Sequence, residues 1–409
     1  MTTFLSSCVR RAIIALIPLL FTYHTLLFYG FLPNTVFYVV LILFFLAYIF
    51  MDWKNSLLLA CCLLGATLLV NVGLGLIRID KGIYYREHER FAAYNADMQM
   101  SGYKRNVDAV VKMPCGDTCA VGGAKNVEIE PRTIRFKTDS LGFRNDRAYR
   151  GQKYVLVGDS FVVGSDNSQE DTLQSQLKET YGIDTYSLAY PGGIPEYVKF
   201  ILYLQRKYKD DFKVLLFLFE GNDFPEAYSQ RELLIKKPYL KAFFDRYRAF
   251  FEGTLLYRYT YSVANKRSKK ASTARVLMVK GHRIADFNEY IEATERETYR
   301  FPEKVIPMLS LVRNRIDHIF FIPTKFRVYY PFLETGNQKP LPNAQWDAVK
   351  ALSESWHIPC TDLTGPLTAE SERLLKEDKF TYWKDDSHWN RYGIAVAAKV
   401  ISGQIPAGH

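Results

Sequence analysis

Apolar residues are concentrated at the start of this 409-residue chain, and their distribution constrains its architecture most. Three apolar runs precede residue 78, at 12–31, 36–51 and 57–77. A helix of roughly 17–25 apolar residues crosses a bilayer. Residues 1–79 are therefore predicted to be a membrane anchor with about three transmembrane helices. A cleaved signal peptide is the alternative for the first run, but that run is too long and two more follow it.

The charges that flank the runs predict a topology. Arg10 and Arg11 precede the first run, and Lys54 lies between the second and the third. Because cytoplasmic loops are enriched in Lys and Arg, the N-terminus and the 52–55 loop are predicted to be cytoplasmic. An odd number of spans then places residues 80–409 outside. We expect a multi-pass protein of the cell (inner or plasma) membrane, and the lack of acidic or basic side chains in the runs favours an anchor over a transport pathway.

The net charge and the cysteine content limit which binding partners, metals and cofactors are expected. The net charge of +10 favours an anionic neighbour, such as lipid headgroups or acidic polysaccharide, although general solubility explains it equally well. The chain has no nucleic-acid motif, so we expect no nucleic-acid partner. Cys115 and Cys119 are spaced to close a small disulfide loop in an oxidising compartment. Without a second pair at ligand spacing, we expect no zinc site. We also expect no other metal site and no cofactor.

The remaining chain alternates strand-like and helical patterns. Residues 80–130 are polar with little periodicity and are predicted to be a stalk, and residues 224–300 are predicted to be an insertion with a helical piece at 241–251. The alternation predicts an α/β domain with a parallel sheet covered by helices on both faces. The candidate strands are 154–158, 185–189, 213–219, 318–324 and 358–363.

Polar residues with catalytic chemistry follow the predicted strands. Ser160 and Asn222 come just after strand ends, and His388 precedes a predicted last helix at 392–401. Ligand sites in such folds lie beyond the carboxyl ends of the strands, so the three side chains are expected to converge. A serine hydroxyl needs a base to take its proton and a carboxylate to orient that base. Two carboxylates, Asp385 and Asp386, precede the histidine.

Four short blocks resemble a known family. They are Gly158-Asp-Ser160, a glycine in Tyr190-Pro-Gly-Gly193, Gly221-Asn-Asp223 and Asp386-Ser-His388, in the order found in the SGNH (GDSL-type) hydrolase and acyltransferase superfamily. The lead-in at 137–144, Ile322-Pro-Thr-Lys325 and the Trp-Asn after His388 resemble a membrane-anchored bacterial branch that includes alginate O-acetylation proteins. The resemblance implies a flavodoxin-like three-layer α/β/α domain over residues 131–405, apart from the insertion.

The resemblance also implies roles for individual residues. Ser160 is expected to be the nucleophile and His388 the general base, with helix capping as the structural alternative for each. Asp386 is favoured as the orienting carboxylate, and Asp385 is the alternate. Gly192 and Asn222 are expected to donate to the oxyanion, although Gly193 fits the register as well and Asn222 also suits a plain turn.

Two further pairs of residues complete the expected site. Asp159 and Asp223 are expected to fix the turns beside the functional residues. Lys325 and Arg327 follow a strand end, where they would either meet an acidic sugar or remain a solvated pair.

The expected function is acyl transfer on ester substrates. One hypothesis is a membrane-anchored esterase, and a second is an O-acyltransferase that removes or transfers O-acetyl groups on a cell-envelope polysaccharide. The two differ in whether water or a sugar hydroxyl resolves the acyl-enzyme. The transferase would need a separate membrane acyltransferase partner to supply the donor. A non-catalytic glycan-binding or scaffold protein of a polysaccharide-modification complex is the alternative from another class.

Overall fold

The computed structural model divides the chain into two units. The first comprises Met1–Tyr85 and Lys237–Lys270, and the second comprises Arg86–Lys236 and Ala271–His409. The structure describes residues 11–20, 22–23, 34–77, 86–95, 97–98, 100–224, 254–259, 273–334 and 339–405.

The first unit contains three apolar helices, α1 (Arg11–Leu20), α2 (Asn34–Phe50) and α3 (Trp53–Leu76). Within the described ranges, α3 alone is long and apolar enough to cross a membrane, with a mean hydropathy of 2.4. The 17 residues of α2 reach about 25 Å at about 1.5 Å per residue, which is less than the roughly 30 Å hydrocarbon core. The first predicted span falls partly outside the described residues. Within the described residues, the third predicted span therefore has the required length and the second does not.

Asn71, a polar residue of α3, contacts part of the predicted insertion. Its side-chain oxygen accepts a hydrogen bond from the Leu256 backbone N–H at 3.1 Å. Leu256 belongs to a short helix at 255–259 within the first unit. The predicted helical piece at 241–251 lies outside the described residues.

The second unit is built on a five-stranded parallel sheet, which confirms the predicted α/β class. Its strands are β5 (Tyr154–Val157), β6 (Thr185–Ser187), β7 (Lys213–Phe219), β10 (Ile316–Ile322) and β11 (Cys360–Asp362). The strand order is β11-β10-β7-β5-β6. Counted in chain order, this is the 2-1-3-4-5 order of flavodoxin-like folds, with its switch point between the first and third strands, β5 and β7.

Alternation along the central strands assigns their side chains to two buried layers. In β5, Leu156 packs into one hydrophobic cluster and Val155 into the other. In β7, Phe217 packs into the first of these clusters and Leu216 into the second. Both faces of a parallel sheet are normally covered by helices, which explains why these strands are apolar throughout.

Helices cover both faces of the sheet. The first cluster includes residues of α6 (Leu173–Tyr181), α12 (Thr364–Leu375) and α13 (Arg391–Gln404). The second includes residues of α7 (Ile194–Tyr208), α9 (Val305–Ser310) and α11 (Ala344–Trp356). The remaining helices of this unit are α4 (Asp117–Ala120), α5 (Ser160–Val163), α8 (Asn288–Thr294) and α10 (Lys325–Tyr329), with 3-10 turns at Glu87–Phe91, Gln169–Asp171, Arg313–Arg315 and Tyr330–Phe332.

Residues 86–130 are part of the second unit rather than a separate stalk. They contribute an antiparallel pair, β1 (Ala92–Asn95) with β2 (Met100–Tyr103), and a strand, β3 (Asp108–Met113), that pairs with β4 (Arg132–Lys137) of the following segment. A disulfide joins Cys115 to Cys119 around α4. The prediction of a stalk was wrong because the polar residues of this segment bind other parts of the domain, which local periodicity does not reveal.

The end of the predicted insertion also belongs to the second unit. The strands β8 (Ala274–Val279) and β9 (His282–Phe287) form a hairpin that leads into α8. The Ala285 backbone N–H donates a hydrogen bond to the Lys384 carbonyl at 2.9 Å. This part of the chain therefore supports the segment that carries His388.

Candidate active site

Ser160 is the first residue of α5 and directly follows the sharp turn after β5. The Asp159 side chain accepts a hydrogen bond from the Phe161 N–H at 2.9 Å and so caps this short helix. A Cβ atom on Gly158 would lie 2.5 Å from a methyl group of Val162, so the turn requires glycine. Ser160 is half-buried, whereas the residues on both sides of it are buried. The turn thus presents one hydroxyl at the carboxyl edge of the sheet.

The structure brings Ser160, His388 and Asp386 into one hydrogen-bonded chain. The Nε2 atom of His388 lies 2.7 Å from Ser160 Oγ, and its Nδ1 atom lies 2.6 Å from Asp386 Oδ1. A carboxylate only accepts, so Nδ1–H donates to Asp386 and Nε2 of the neutral ring accepts from the serine hydroxyl. This is the arrangement in which a histidine can remove a proton from a serine.

Asp386, not Asp385, is the carboxylate that contacts the histidine. Asp385 instead accepts hydrogen bonds from the Gly116 and Glu130 backbone N–H groups, and it pairs with Arg132 at 2.9 Å. Its position is structural, because it joins the His388 segment to the part of the chain that was predicted to be a stalk.

Charges around the pair favour an ionised Asp386 and a basic His388. Burial and the nearby Asp117 oppose ionisation of Asp386, but the charge and hydrogen bond of His388 outweigh them and hold its pKa at about 2. Burial alone would lower the pKa of His388, yet Asp386 and then Asp117 raise it above its ordinary value of 6.5. The imidazolium that forms when the serine loses its proton is therefore stabilised.

The residues after His388 hold it in place. The buried Trp389 indole N–H donates to the Phe161 carbonyl at 3.0 Å, and the Phe161 ring centroid lies 4.9 Å from that of His388. Asn390 caps α13 by accepting from the Tyr392 N–H at 2.9 Å. The Trp-Asn pair thus fixes residues 385–388, here called the histidine segment, between α5 and α13.

The predicted oxyanion donors lie after the next two strands. The Gly193 N–H donates to the Glu196 side chain at 3.1 Å, which leaves Gly192 as the glycine with an unused N–H. Asn222 is exposed in the turn after β7. Within the described part of the chain, neither the Gly192 N–H nor the Asn222 amide has a hydrogen-bond partner. Both groups are available to a ligand, and their role as donors stays a prediction.

Asp159 and Asp223 form a buried acidic pair beneath these turns. Asp223 accepts from the Tyr197 hydroxyl at 2.7 Å and from the Phe219 N–H at 2.8 Å. Burial raises the pKa of Asp159 to about 6, and burial together with the charge of Asp159 raises that of Asp223 well above its ordinary range. These bonds fix the two turns, as was expected of both residues.

Lys325 and Arg327 do not form a ligand-binding or solvated pair. Lys325 is buried, and its ammonium group donates to the carbonyl oxygens of Trp383, Lys384 and Asp386. Arg327 is paired with Glu220 through several short contacts in the interior. Both cations instead stabilise the carboxyl edge of the sheet, and Lys325 holds the histidine segment directly.

Two residues that contact this site were missed in the sequence. Arg132 bridges Asp166 at 2.8 Å and Asp385 at 2.9 Å, and its guanidinium lies 4.4 Å from the centre of a Trp383 ring. Asp117 lies next to the histidine, with an oxygen 3.5 Å from Nδ1. The only signal for Asp117 was its place between two cysteines that could form a closed loop.

Three of these groups also offer ligand atoms that a metal ion could use. The side chains of Asp117, Asp386 and His388 place one ligand atom each within 4.8 Å of the others. Hydrogen bonds already engage these side chains, both within the set and with neighbouring groups.

Comparisons of the chain with protein families, curated proteins and solved structures found no match. A function is therefore inferred from the geometry and chemistry of the site.

The raised pKa of His388 can be tested without a substrate. In the full chain held in detergent, NMR titration of the His388 imidazole should give a midpoint above 6.5. Asp386→Asn should lower that midpoint, because it removes the charge that stabilises the imidazolium. The exposed Asp347→Asn should leave it unchanged. A midpoint in Asp386→Asn at or above that of the unmodified protein would contradict the assigned contact.

Proposed function

We propose that this protein is a membrane-anchored serine esterase or acyltransferase of the SGNH type that acts outside the cytoplasm. The hydrogen-bonded chain from Ser160 through His388 to Asp386 carries the proposal. Such a chain is what nucleophilic acyl transfer requires. Its position beyond the ends of β5 and β7, at the switch point of a doubly wound sheet, supports the proposal because ligands bind there.

In the first half of the proposed reaction, Ser160 Oγ attacks the ester carbonyl while His388 Nε2 takes its proton. Asp386 stabilises the resulting imidazolium. Negative charge develops on the carbonyl oxygen, where the N–H groups of Ser160 and Gly192 and the amide of Asn222 would donate hydrogen bonds. His388 then gives its proton to the leaving alcohol, and the acyl group remains on Ser160.

In the second half, a hydroxyl group attacks the acyl-enzyme while His388 takes its proton. The bond from the acyl group to Ser160 Oγ then breaks, and His388 returns the proton to Ser160. Water gives hydrolysis, and a sugar hydroxyl gives transfer. We propose an acyl ester or acylated glycan as substrate, and acetyl groups on a cell-envelope polysaccharide as the target. The resemblance of the histidine segment to polysaccharide O-acetylation proteins supports this choice. In the transferase case a membrane acyltransferase partner supplies the donor.

We also propose that the chain is a multi-pass protein of the cell membrane with its catalytic unit outside. The apolar helix α3, the Arg10–Arg11 pair and the Cys115–Cys119 disulfide support this location, since disulfides persist in oxidising compartments.

Ser160→Ala should abolish turnover of a chromogenic acetyl ester and leave the protein folded. The reason is that the covalent step has no other nucleophile in the proposed mechanism. Mass spectrometry of the unmodified protein after a fluorophosphonate probe should find the adduct on Ser160. Ser310→Ala, an exposed serine on α9, is the matched control and should keep full activity.

The same assay separates the alternatives. Acetylated sugar formed from added glycan oligomers would identify transfer, and release of free acetate alone would identify hydrolysis. An unmodified protein that shows neither an adduct nor turnover would contradict the enzyme proposal and favour the glycan-binding or scaffold alternative.

Asn222→Ala should lower kcat by about 10²–10³-fold, or about 2.7–4 kcal/mol, with little change in KM. The amide is needed only when charge develops in the transition state. Asn314→Ala, an exposed change of the same type, controls for side-chain loss. An unchanged kcat together with a lower melting temperature would reassign Asn222 to the turn.

A fusion of alkaline phosphatase to the C-terminus of the full chain in a bacterial host should be active, because that enzyme matures only outside the cytoplasm. Strong signal from a fluorescent reporter that functions only in the cytoplasm would contradict the proposed location.

A further inference from the structure

A disulfide-closed loop, residues 115–119 and here called the cysteine loop, packs against the catalytic histidine segment, residues 385–388. The Gly116 N–H donates to Asp385 Oδ2 at 3.0 Å, and the Asp117 N–H donates to Asp386 Oδ2 at 2.7 Å. The Thr118 hydroxyl donates to the Asp385 carbonyl at 2.6 Å. Three successive residues of the loop therefore bind the two residues that precede the Ser387–His388 pair.

This packing depends on a close approach at Gly116. A Cβ atom there would lie 2.4 Å from both the Asp385 carbonyl oxygen and the Asp386 Cβ. No other residue type fits without moving one of the two segments. The approach brings the Asp117 side chain beside His388.

The Asp117 carboxylate also contacts the histidine segment, in addition to the Asp117 backbone N–H. Its Oδ1 accepts from the Ser387 N–H at 2.7 Å, its Oδ2 accepts from the Ser387 hydroxyl at 2.5 Å, and Oδ2 lies 3.5 Å from His388 Nδ1. All these groups are buried. A second carboxylate therefore lies on the side of the imidazole that Asp386 already occupies.

We propose that Asp117 is a positioning residue for the catalytic histidine, held in place by the Cys115–Cys119 disulfide. It fixes the segment through Ser387 and adds a second negative charge beside the imidazolium that forms during acyl transfer. The inference rests on the proposed function for its kinetic consequence, but its effect on His388 is measurable without turnover.

Asp117 is one of several charged groups that influence the pKa of His388. Asp386 and Asp117 favour the imidazolium form of His388, and they outweigh burial, which disfavours it. The charged or titratable groups that interact with this imidazole are Asp386, Asp117, Arg86, His88 and Asp159. Removing the charge of Asp117 therefore leaves Asp386 as the main group that raises the pKa of His388.

The test compares Asp117→Asn with Asp378→Asn in the full chain. Asparagine keeps the size of the side chain and an acceptor for the Ser387 N–H, but it loses the charge. We expect the NMR midpoint of His388 to fall by about one pH unit. The acid limb of the rate profile should move down by the same amount, because the base works when neutral, and kcat should fall about tenfold. Asp378 is an exposed acid, so its variant should change neither.

The titration midpoint of His388 and the ester turnover distinguish failure of the role proposed for Asp117 from failure of the proposed function. An unmodified enzyme without ester turnover contradicts the proposed function, and the titration midpoint then tests Asp117 alone. A midpoint in Asp117→Asn equal to that of the unmodified protein overturns the role of Asp117, whatever the activity. A purely structural role would lower the melting temperature and leave both the midpoint and the acid limb in place.

A second variant tests the part played by the disulfide and serves if Asp117→Asn does not fold. Replacing both Cys115 and Cys119 with Ser retains the carboxylate but opens the loop. Increased freedom of Asp117 should lower kcat about tenfold, because the carboxylate is then held less precisely beside His388. A kcat equal to that of the unmodified protein would overturn the proposal that the disulfide holds Asp117.

Discussion

The site depends on keeping the buried carboxylate of Asp386 ionised. A charge removed from water is costly unless other groups stabilise it. Asp386 receives the Nδ1–H and N–H of His388, the N–H of Asp117 and the nearby Arg132 guanidinium. Several of these contacts come from distant parts of the chain, so the buried carboxylate is stabilised in its charged form only when the domain is assembled. The same contacts fix the direction in which His388 points.

Arg132 extends this stabilisation to the neighbouring acids. It pairs with Asp166 and Asp385 and stacks on Trp383, and its side chain is buried. Removing one partner of such a cluster leaves an uncompensated charge in the interior, which typically costs about 3–5 kcal/mol. Lys325, at the start of α10, supplements the cluster by binding carbonyl groups rather than carboxylates. The histidine segment is therefore held by cations on two sides.

The features predicted from sequence are those with a local cause. Strand β7 was predicted with its observed ends, because a run of apolar residues bounded by polar ones has few other interpretations. Ser160 was predicted as a site residue because a serine after a buried strand, with histidine and aspartate downstream, is typical of a nucleophilic hydroxyl. The distance of 2.7 Å to His388 was not predictable, since the two residues are 228 positions apart.

The features that were missed have long-range causes. Asp117 and Asp386 are 269 positions apart, and no local pattern links them. Charged residues are mostly exposed, so a polar segment around residue 117 resembled a stalk, and Lys325 and Arg327 resembled ligand contacts. Charged residues are buried only where ion-pair or hydrogen-bond partners from distant parts of the chain stabilise them. The resulting site is open on the side of the half-buried Ser160 and closed behind His388 by Phe161 and Trp389. In the proposed reaction an ester would approach from the serine side, while the charges beside His388 stay shielded from water and remain strong.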